Sequence, residues 1–479
     1  MNNKLVKNYI YNVLYQIFLI VVPLVTAPYL TRTLSAVSLG IYDYINSITS
    51  IITTFGLIGL QSYGYRQIAY YRDNKRAVEE EFSSIFCLRI ILLIIVGIIY
   101  LPLSGATEYK KYFWIQFFLI VAQFLDVSWL FIGFEDLKIV SLRNFIAKFI
   151  TVIGIFLFVN DDNDLWLYFA LFSFTTLVTC ISVYPLAKKY VLFVKVDIKK
   201  IISHISGSIK LFIPQVATLL YLQFDKVMLK AFTDSTAQVA YYSYAEKIIN
   251  IPLAVITALG TVMMPRFANL HSNNDREAIS NYLMKTIRFA LFLAVPMMIG
   301  LAVISDGFIP WYLGNEYIVS ATVIVVLSPV CILNALANIL GAQYLTAVDK
   351  TKELTVSYYS AAFINIFLNA ILIPQFACIG AAIATLFCSL TSVIMQFFYV
   401  KKDIHFYGIG ANLLKNIFSA LFMMIGIEII KKLANVSAWV TLAEVFVGVI
   451  IYLIFSLLLK EANLTNVILL VKKGMIKHK

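Results

Sequence analysis

Six cations stand inside apolar stretches of this sequence: Arg89, Arg143, Lys148, Lys226, Lys247 and Arg288, with Arg32 at the edge of another. Four acids share that setting, Asp43, Asp126, Asp225 and Glu246. Two of these acids sit directly beside a base, as Asp225-Lys226 and Glu246-Lys247, in two long apolar runs joined by the turn Thr233-Asp234-Ser235-Thr236. At 1.5 Å of rise per residue, both pairs lie about 10–15 Å in from the same end of a helical hairpin. If those helices span a bilayer, charges at that depth face protein, each other or a water-filled cavity. Two chemistries follow. One is pairing: Asp225 or Glu246 with Lys247 or Lys226, and Asp126 with Arg143 or Lys148. The other is anion binding, because the cations outnumber the acids and the planar fork of arginine suits phosphate oxygens. Arg89 and Arg288, about 10 Å from span ends, also have the length to snorkel toward water.

Two amide pairs add polar faces: Asn12/Gln16 and Asn365/Asn369, each at i, i+4 spacing on one side of a helix. They suit either hydrogen bonding between helices or the lining of a polar cavity that takes sugar hydroxyls. No catalytic constellation accompanies them. The sequence holds no GxxxxGK[ST] phosphate loop, and His204, His271, His405 and His478 are scattered without zinc or triad spacing. The five cysteines, Cys87, Cys180, Cys331, Cys378 and Cys388, lie in apolar stretches without CxxC spacing and read as small buried hydrophobes. The expectation is therefore a transporter rather than an enzyme, with no metal site. External loops are short, which argues against a membrane glycosyltransferase or polymerase.

The elements that must position these charges are membrane-spanning helices. The chain has 479 residues, 61% hydrophobic and 13% charged, and a mean hydropathy of +0.85. A soluble protein carries about 25% charged residues, so this is a polytopic all-α membrane protein. Runs of about 20 apolar residues give roughly fourteen spans. Six lie in a first lobe over residues 1–187: Tyr9–Leu30, Leu39–Gly64, Phe82–Leu103, Tyr112–Phe134, Lys138–Val159 and Leu165–Leu186. A basic connector covers 188–208. A second lobe over 209–400 holds Ile209–Phe232, Gln238–Pro265, Tyr282–Ile304, Tyr317–Ala347, Leu354–Pro374 and Ile379–Val400. Residues 401–479 add Asn412–Leu433, Ala438–Leu459 and a basic tail. Pro23, Pro28, Pro214, Pro252, Pro296 and Pro329 fall within spans and permit bending there. The first run is not a cleavable signal, since Pro28 follows Ala27 and no soluble domain comes after.

The net charge of +12 is dispersed over loops, a pattern of membrane orientation and not of a nucleic-acid-binding face. Alternate loops carry Arg66/Arg72/Lys75/Arg76, Lys188/Lys189/Lys195/Lys199/Lys200, Arg266/Arg276, Lys350/Lys352 and Lys401/Lys402, while Asp161-Asp162-Asn163-Asp164 has no base. Both termini belong to the basic set and are expected in the cytoplasm. In the connector, Ile198, Ile201, Ile202 and Ile205 follow i, i+3, i+4, i+7, the pattern of an interfacial amphipathic helix or of a plain linker. A shift of 200 residues superposes Tyr42 and Tyr44 on Tyr242 and Tyr244, and Arg66 on Arg266; Arg89 meets Arg288 with one place more. Parallel six-span repeats of that kind are able to rock against each other.

These residues also resemble a known family. The stretches NYIYNVLYQIFLIVVPLVTAPYLTRTLSAVSLGIYDY (Asn8–Tyr44), DVSWLFIGFEDLK (Asp126–Lys138), YLQFDKVMLKAF, YYSYAEKI and MMPRF within Pro214–Pro265, and NIFLNAILIPQFACIGAAIA (Asn365–Ala384) are similar to Wzx-type oligosaccharide flippases. Those belong to the MOP superfamily with the MATE transporters and lipid II flippases. Lys230 stands where a glycine is usual. The resemblance implies two pseudo-symmetric six-helix lobes, two terminal helices and alternating access in a bacterial cytoplasmic (inner) membrane. It implies a cargo of undecaprenyl diphosphate bearing an oligosaccharide, destined for capsular, exopolysaccharide or O-antigen synthesis. Implied partners are that lipid-linked oligosaccharide, membrane lipids, a polysaccharide polymerase and chain-length machinery, with proton or sodium coupling and no organic cofactor. On this reading Arg89, Arg143, Lys148 and Arg288 receive the diphosphate, Lys226, Lys247 and Arg32 assist its passage, and Asp126, Asp225, Glu246 and Asp43 serve as counter-ions or coupling sites. Asn12, Gln16, Asn365 and Asn369 line the cavity. A MATE-like cation-coupled drug antiporter and a lipid II-type flippase are the alternatives; a drug antiporter calls for an acidic, aromatic cavity, against which the basic surplus stands.

Overall fold

A helix of the first unit stops in mid-course at Asp126, and the candidate site forms around that stop. The computed structural model describes residues 18, 21–105, 107–258, 260–404, 406 and 408–465, and every regular element among them is helical. Asn12 and Gln16 lie outside the described residues. Eight of the helices are long and apolar enough to cross a membrane, ten if each of two bent pairs counts as one span. The bent pairs are Ile198–Leu220 with Leu222–Thr233, at 46°, and Asn315–Leu327 with Val330–Leu345, at 51° around Pro329. The expected fourteen is thus not reached by length and hydropathy alone. One reason is Thr351–Lys401, whose 51 residues would measure about 75 Å as one straight helix, against a hydrocarbon core about 30 Å thick, but which is two helices joined across a kink. Its backbone leaves helical geometry at Ala377 (φ 48°, ψ −127°). Just beyond, a Cβ on Gly380 would lie 2.3 Å from the Leu372 carbonyl oxygen, so the chain folds back on itself there.

The chain divides into two compact units, residues 1–230 with 235–240, and residues 231–234 with 241–479. In the first unit Ser35 caps Ala36–Leu57 by accepting from the Ser38 N–H at 3.2 Å. Gly59, at φ +80°, then turns the chain into Leu60–Tyr71, where a Cβ would sit 2.7 Å from the Ser208 carbonyl oxygen. That turn delivers Gln61 to the candidate site. Lys75–Gly105 follows, then Lys110–Leu125, the six-residue helix Ser128–Gly133, Leu137–Phe158 and Leu165–Ser182. Trp129, Leu130 and Phe131 of the short helix are fully buried among Leu60, Phe82, Ile85 and Val183. On Leu137–Phe158, by contrast, Leu142, Phe145, Ile146, Phe149, Ile150 and Ile153 are exposed, as a lipid-facing helix requires.

The basic connector leads into Ile198–Thr233, whose first turns dock on this same unit. Lys200 pairs with Glu80 at 3.0 Å and Glu81 at 3.2 Å, and the buried His204 ring bonds Ser84 at 2.7 Å and Tyr63 at 3.1 Å. Ile201 and Ile205 face the core while Ile198 and Ile202 are exposed, so the periodicity marks a helix with apolar residues on two faces. In the second unit the long helix Arg276–Tyr312 supports two clusters, one with Tyr344, Leu345 and Val400, the other with Ala420, Met423 and Tyr452. Tyr452 donates to the Phe292 carbonyl at 2.7 Å and ties Ala438–Leu458 to that helix.

Candidate functional site

Breaking a helix frees the carbonyls of its last turn, and in hydrocarbon each must find another donor. Asp126 adopts extended geometry (φ −65°, ψ 120°), which ends Lys110–Leu125 and leaves the carbonyls of Gln123, Phe124 and Leu125 without helical partners. Arg89, on the neighbouring Lys75–Gly105, donates Nη2 to the Gln123 oxygen at 2.5 Å and Nε to the Phe124 oxygen at 2.9 Å. Tyr184 donates to the Leu125 oxygen at 2.6 Å. Arg89 Nη1 continues to Gln61 Oε1 at 3.1 Å, and Gln61 Nε2 donates to Ser128 Oγ at 2.9 Å. Arg89 is fully buried and holds the broken helix end together; the structure gives it a positioning part at the site, not an open receiving surface.

Asp126 is what the break presents. The Ser128 hydroxyl and N–H donate to its carboxylate at 2.5 and 3.2 Å, and Arg143 pairs with it from Leu137–Phe158. Arg143 also donates through Nε and Nη2 to Asn144 Oδ1 at 3.0 and 2.8 Å. Lys148, one turn and a residue further, places Nζ 5.1 Å from the centroid of Phe172. Asp126, Arg143 and Lys148 all line one cavity of about 270 Å³ with Gln123, Asn144, Thr151, Thr176, Thr179 and Cys180. Arg143 and Thr179 also border a second, more apolar hollow of about 390 Å³ floored by Ile139, Leu142, Ile146 and Leu186, with Asp136 and Lys138 among its lining. The site is a half-open hollow whose lining carries two cations and one acid.

The other expected site residues lie elsewhere. Arg32 is exposed and donates to the Pro28 carbonyl at 2.7 Å. Asp43 is buried on Ala36–Leu57. Asp225 is buried and Lys226 half-buried on Ile198–Thr233 in the first unit, whereas Glu246 and Lys247 belong to the second, where Lys247 Nζ lies 4.1 Å from the Tyr244 ring centroid. Arg288 is half-buried, with its guanidinium against the left-handed Gly408. Asn365 and Asn369 are fully buried and bond each other at 3.1 Å. Gln61, Gln123, Asn144 and the threonines of the chamber were not singled out by sequence, because uncharged polar residues in spans carry little signal. Glu444 was missed as well: it is buried on Ala438–Leu458 in the second unit, near Lys431, in a hollow of about 220 Å³.

Fold and site together define a polytopic helical membrane protein of the transporter type. The chain belongs to the polysaccharide biosynthesis protein family, whose sequence model matches residues 5–271, and residues 139–455 also match the model of the lipid II flippase MurJ. It is 27% identical over 393 residues to a putative O-antigen transporter of Shigella dysenteriae, covering 79% of this chain and 95% of that one. A putative O-antigen transporter of Escherichia coli K12 is 23% identical, with 82% and 96% covered. Among solved structures, lipid II flippase MurJ in an inward closed conformation superposes with a TM-score of 0.75 at 18% identity, over 94% of this chain and 98% of that one. An inward-facing multidrug resistance MATE family transporter gives 0.65 at 14% identity, over 80% and 93%. The chain is thus a Wzx-type member of the MOP superfamily.

Proposed function

We propose that this chain flips polyprenyl-diphosphate-linked oligosaccharide repeat units from the cytoplasmic to the outer leaflet of a bacterial inner membrane, by alternating access and with both termini in the cytoplasm. The observation that carries the reading is the chamber in which Arg143 and Lys148 meet beside Asp126. Moving a diphosphate through hydrocarbon has a prohibitive solvation cost unless fixed cations replace its water. Arg143 offers a planar fork and Lys148 a point charge, and Asp126 neutralises Arg143 when no cargo is present. Cargo phosphate competes with Asp126 for Arg143, while Ser128 retains the carboxylate through two hydrogen bonds. Release of cargo returns Arg143 to Asp126, so Arg143 has an anionic partner in both halves of the cycle.

The O-antigen transporter relatives support an oligosaccharide cargo. The MurJ model match favours the same lipid diphosphate and keeps a lipid II-type cargo as the second reading. A drug antiporter shares the fold, but its cationic cargo is poorly matched to Arg143 and Lys148. Delivery to a polymerase and its chain-length machinery, and coupling to a proton or sodium ion, belong to the same proposal. The test is deletion. Lipid-linked oligosaccharide accumulates on the cytoplasmic leaflet when the chain is removed and clears when it is restored; accumulation of lipid II instead selects the second reading, and accumulation of neither overturns both.

A further inference from the structure

Beside the charged chamber, and sharing Gln123 with it, lies a cavity of about 330 Å³ that contains no charged residue in its lining. It is lined by Thr49, Ser50, Thr53, Thr54, Gln61, Gln123 and Gln215, with Leu57 and Leu119 as its apolar part; the Thr49 and Thr53 hydroxyl oxygens are buried behind that lining. Threonines in membrane helices ordinarily bond back to the carbonyl four residues earlier, as Thr26, Thr151, Thr176 and Thr179 do here. Thr53 does not. It is 8% exposed, and its Oγ1 is buried without a hydrogen-bond partner among the described residues. A buried hydroxyl left unbonded costs stability, and Thr53 stands behind the wall of a hollow of ligand size whose half-buried hydroxyl residues are Ser50 and Thr54.

We propose that this cavity is a sugar subsite: it binds an uncharged, hydroxyl-rich ring of the cargo, next to the diphosphate held by Arg143 and Lys148. This rests on the flippase reading and names the part of the cargo that the charged chamber leaves unrecognised. Sugar hydroxyls donate and accept at once, as do threonine hydroxyls and glutamine amides, whereas the C–H face of a pyranose packs on leucine. An anion would call for a cation in the lining and a drug cation for a carboxylate; neither is present. Two of the amides are held in place: Gln215 Nε2 donates to Ser62 Oγ at 2.9 Å, and Gln61 is fixed between Arg89 and Ser128. The Gln61 bridge makes the two compartments one hydrogen-bonded assembly, so the glycan and phosphate ends are recognised at a set spacing.

The test uses the full chain in proteoliposomes with two cargoes: lipid-linked oligosaccharide extracted from a strain lacking this chain, and the sugar-free polyprenyl diphosphate. A site that bonds a substrate hydroxyl discriminates strongly against an analogue without it. The double substitution Ser50→Ala with Thr54→Val removes two hydroxyls of half-buried lining residues at nearly constant shape. It is expected to slow flipping of the glycosylated cargo about tenfold, while the sugar-free cargo moves as in the unaltered chain and Thr54→Ser, which keeps the hydroxyl, restores the rate on the glycosylated cargo. Arg143→Gln slows both cargoes. Unchanged flipping of the glycosylated cargo by the double variant, or an equal loss on both cargoes, overturns the sugar subsite and leaves the flippase intact. If the unaltered chain moves neither cargo, the flippase reading fails and the subsite fails with it.

Discussion

Arg89 and Arg143 carry the same charge and lie on two helices of the same unit, yet their surroundings assign them different work. Arg89 is enclosed and bonded to two backbone carbonyls and an amide. Removing it as Arg89→Met leaves three acceptors without that donor, of which the Phe124 carbonyl is fully buried, and a buried acceptor left unbonded costs about 1–3 kcal/mol. The expected outcome is a destabilisation of about 1–3 kcal/mol, read as a lower melting temperature in detergent and a smaller amount of protein in the membrane. Arg143 borders open space, so Arg143→Lys is expected to leave melting nearly unchanged and to cut flipping about tenfold, because the ammonium keeps the charge but loses the fork. The Arg143–Asp126 pairing was legible in the sequence as one of two alternatives, since both residues are intramembrane and close in order. The task of Arg89 was not. It depends on where a neighbouring helix breaks, and Asp126-Val127-Ser128 gives no proline or glycine to mark the break. Thr53 was equally hidden, because a threonine that bonds its own helix and one that does not look the same in sequence.

At the scale of elements, two sharp turns set where the spans begin and end. The reversal at Ala377 was placed correctly between Leu354–Pro374 and Ile379–Val400, because Pro374 and the interruption of the apolar run announce it. Its backbone was beyond sequence reading: a non-glycine residue at φ 48°, ψ −127° is strained by about 1–3 kcal/mol. Ala377→Gly relieves that strain and is expected to raise the melting temperature in detergent, the change corresponding to about 1 kcal/mol. Gly380→Val acts in the opposite direction, since its Cβ would fall 2.3 Å from the Leu372 oxygen and force the hairpin open. A lower melting temperature for Ala377→Gly would show that the reversal is held by its side chain rather than despite it.

For the molecule as a whole, the alternation of basic loops gives an orientation that chemistry can test from each side of the membrane. Lys188, Lys189, Lys195 and Lys199 lie in the connector that docks on the first unit through Lys200, whereas the loop from Asp161 to Asp164 carries only acids and an asparagine. None of the five cysteines is in a disulfide, so no covalent cross-link is lost when they are replaced by serine or alanine. A cysteine-free chain is therefore expected to fold and to support polysaccharide export. On that background, Lys195→Cys and Asn163→Cys are both exposed and distant from the chamber residues. An impermeant maleimide applied to intact cells is expected to label Asn163→Cys and to spare Lys195→Cys until the inner membrane is opened. Labelling in the reverse order would invert the chain, so that an anion entering from the cytoplasm would meet Asp161–Asp164 before any of the connector lysines. Surface potential then opposes entry instead of favouring it, and the direction of transport proposed from Arg143 and Lys148 would have to be reversed with it.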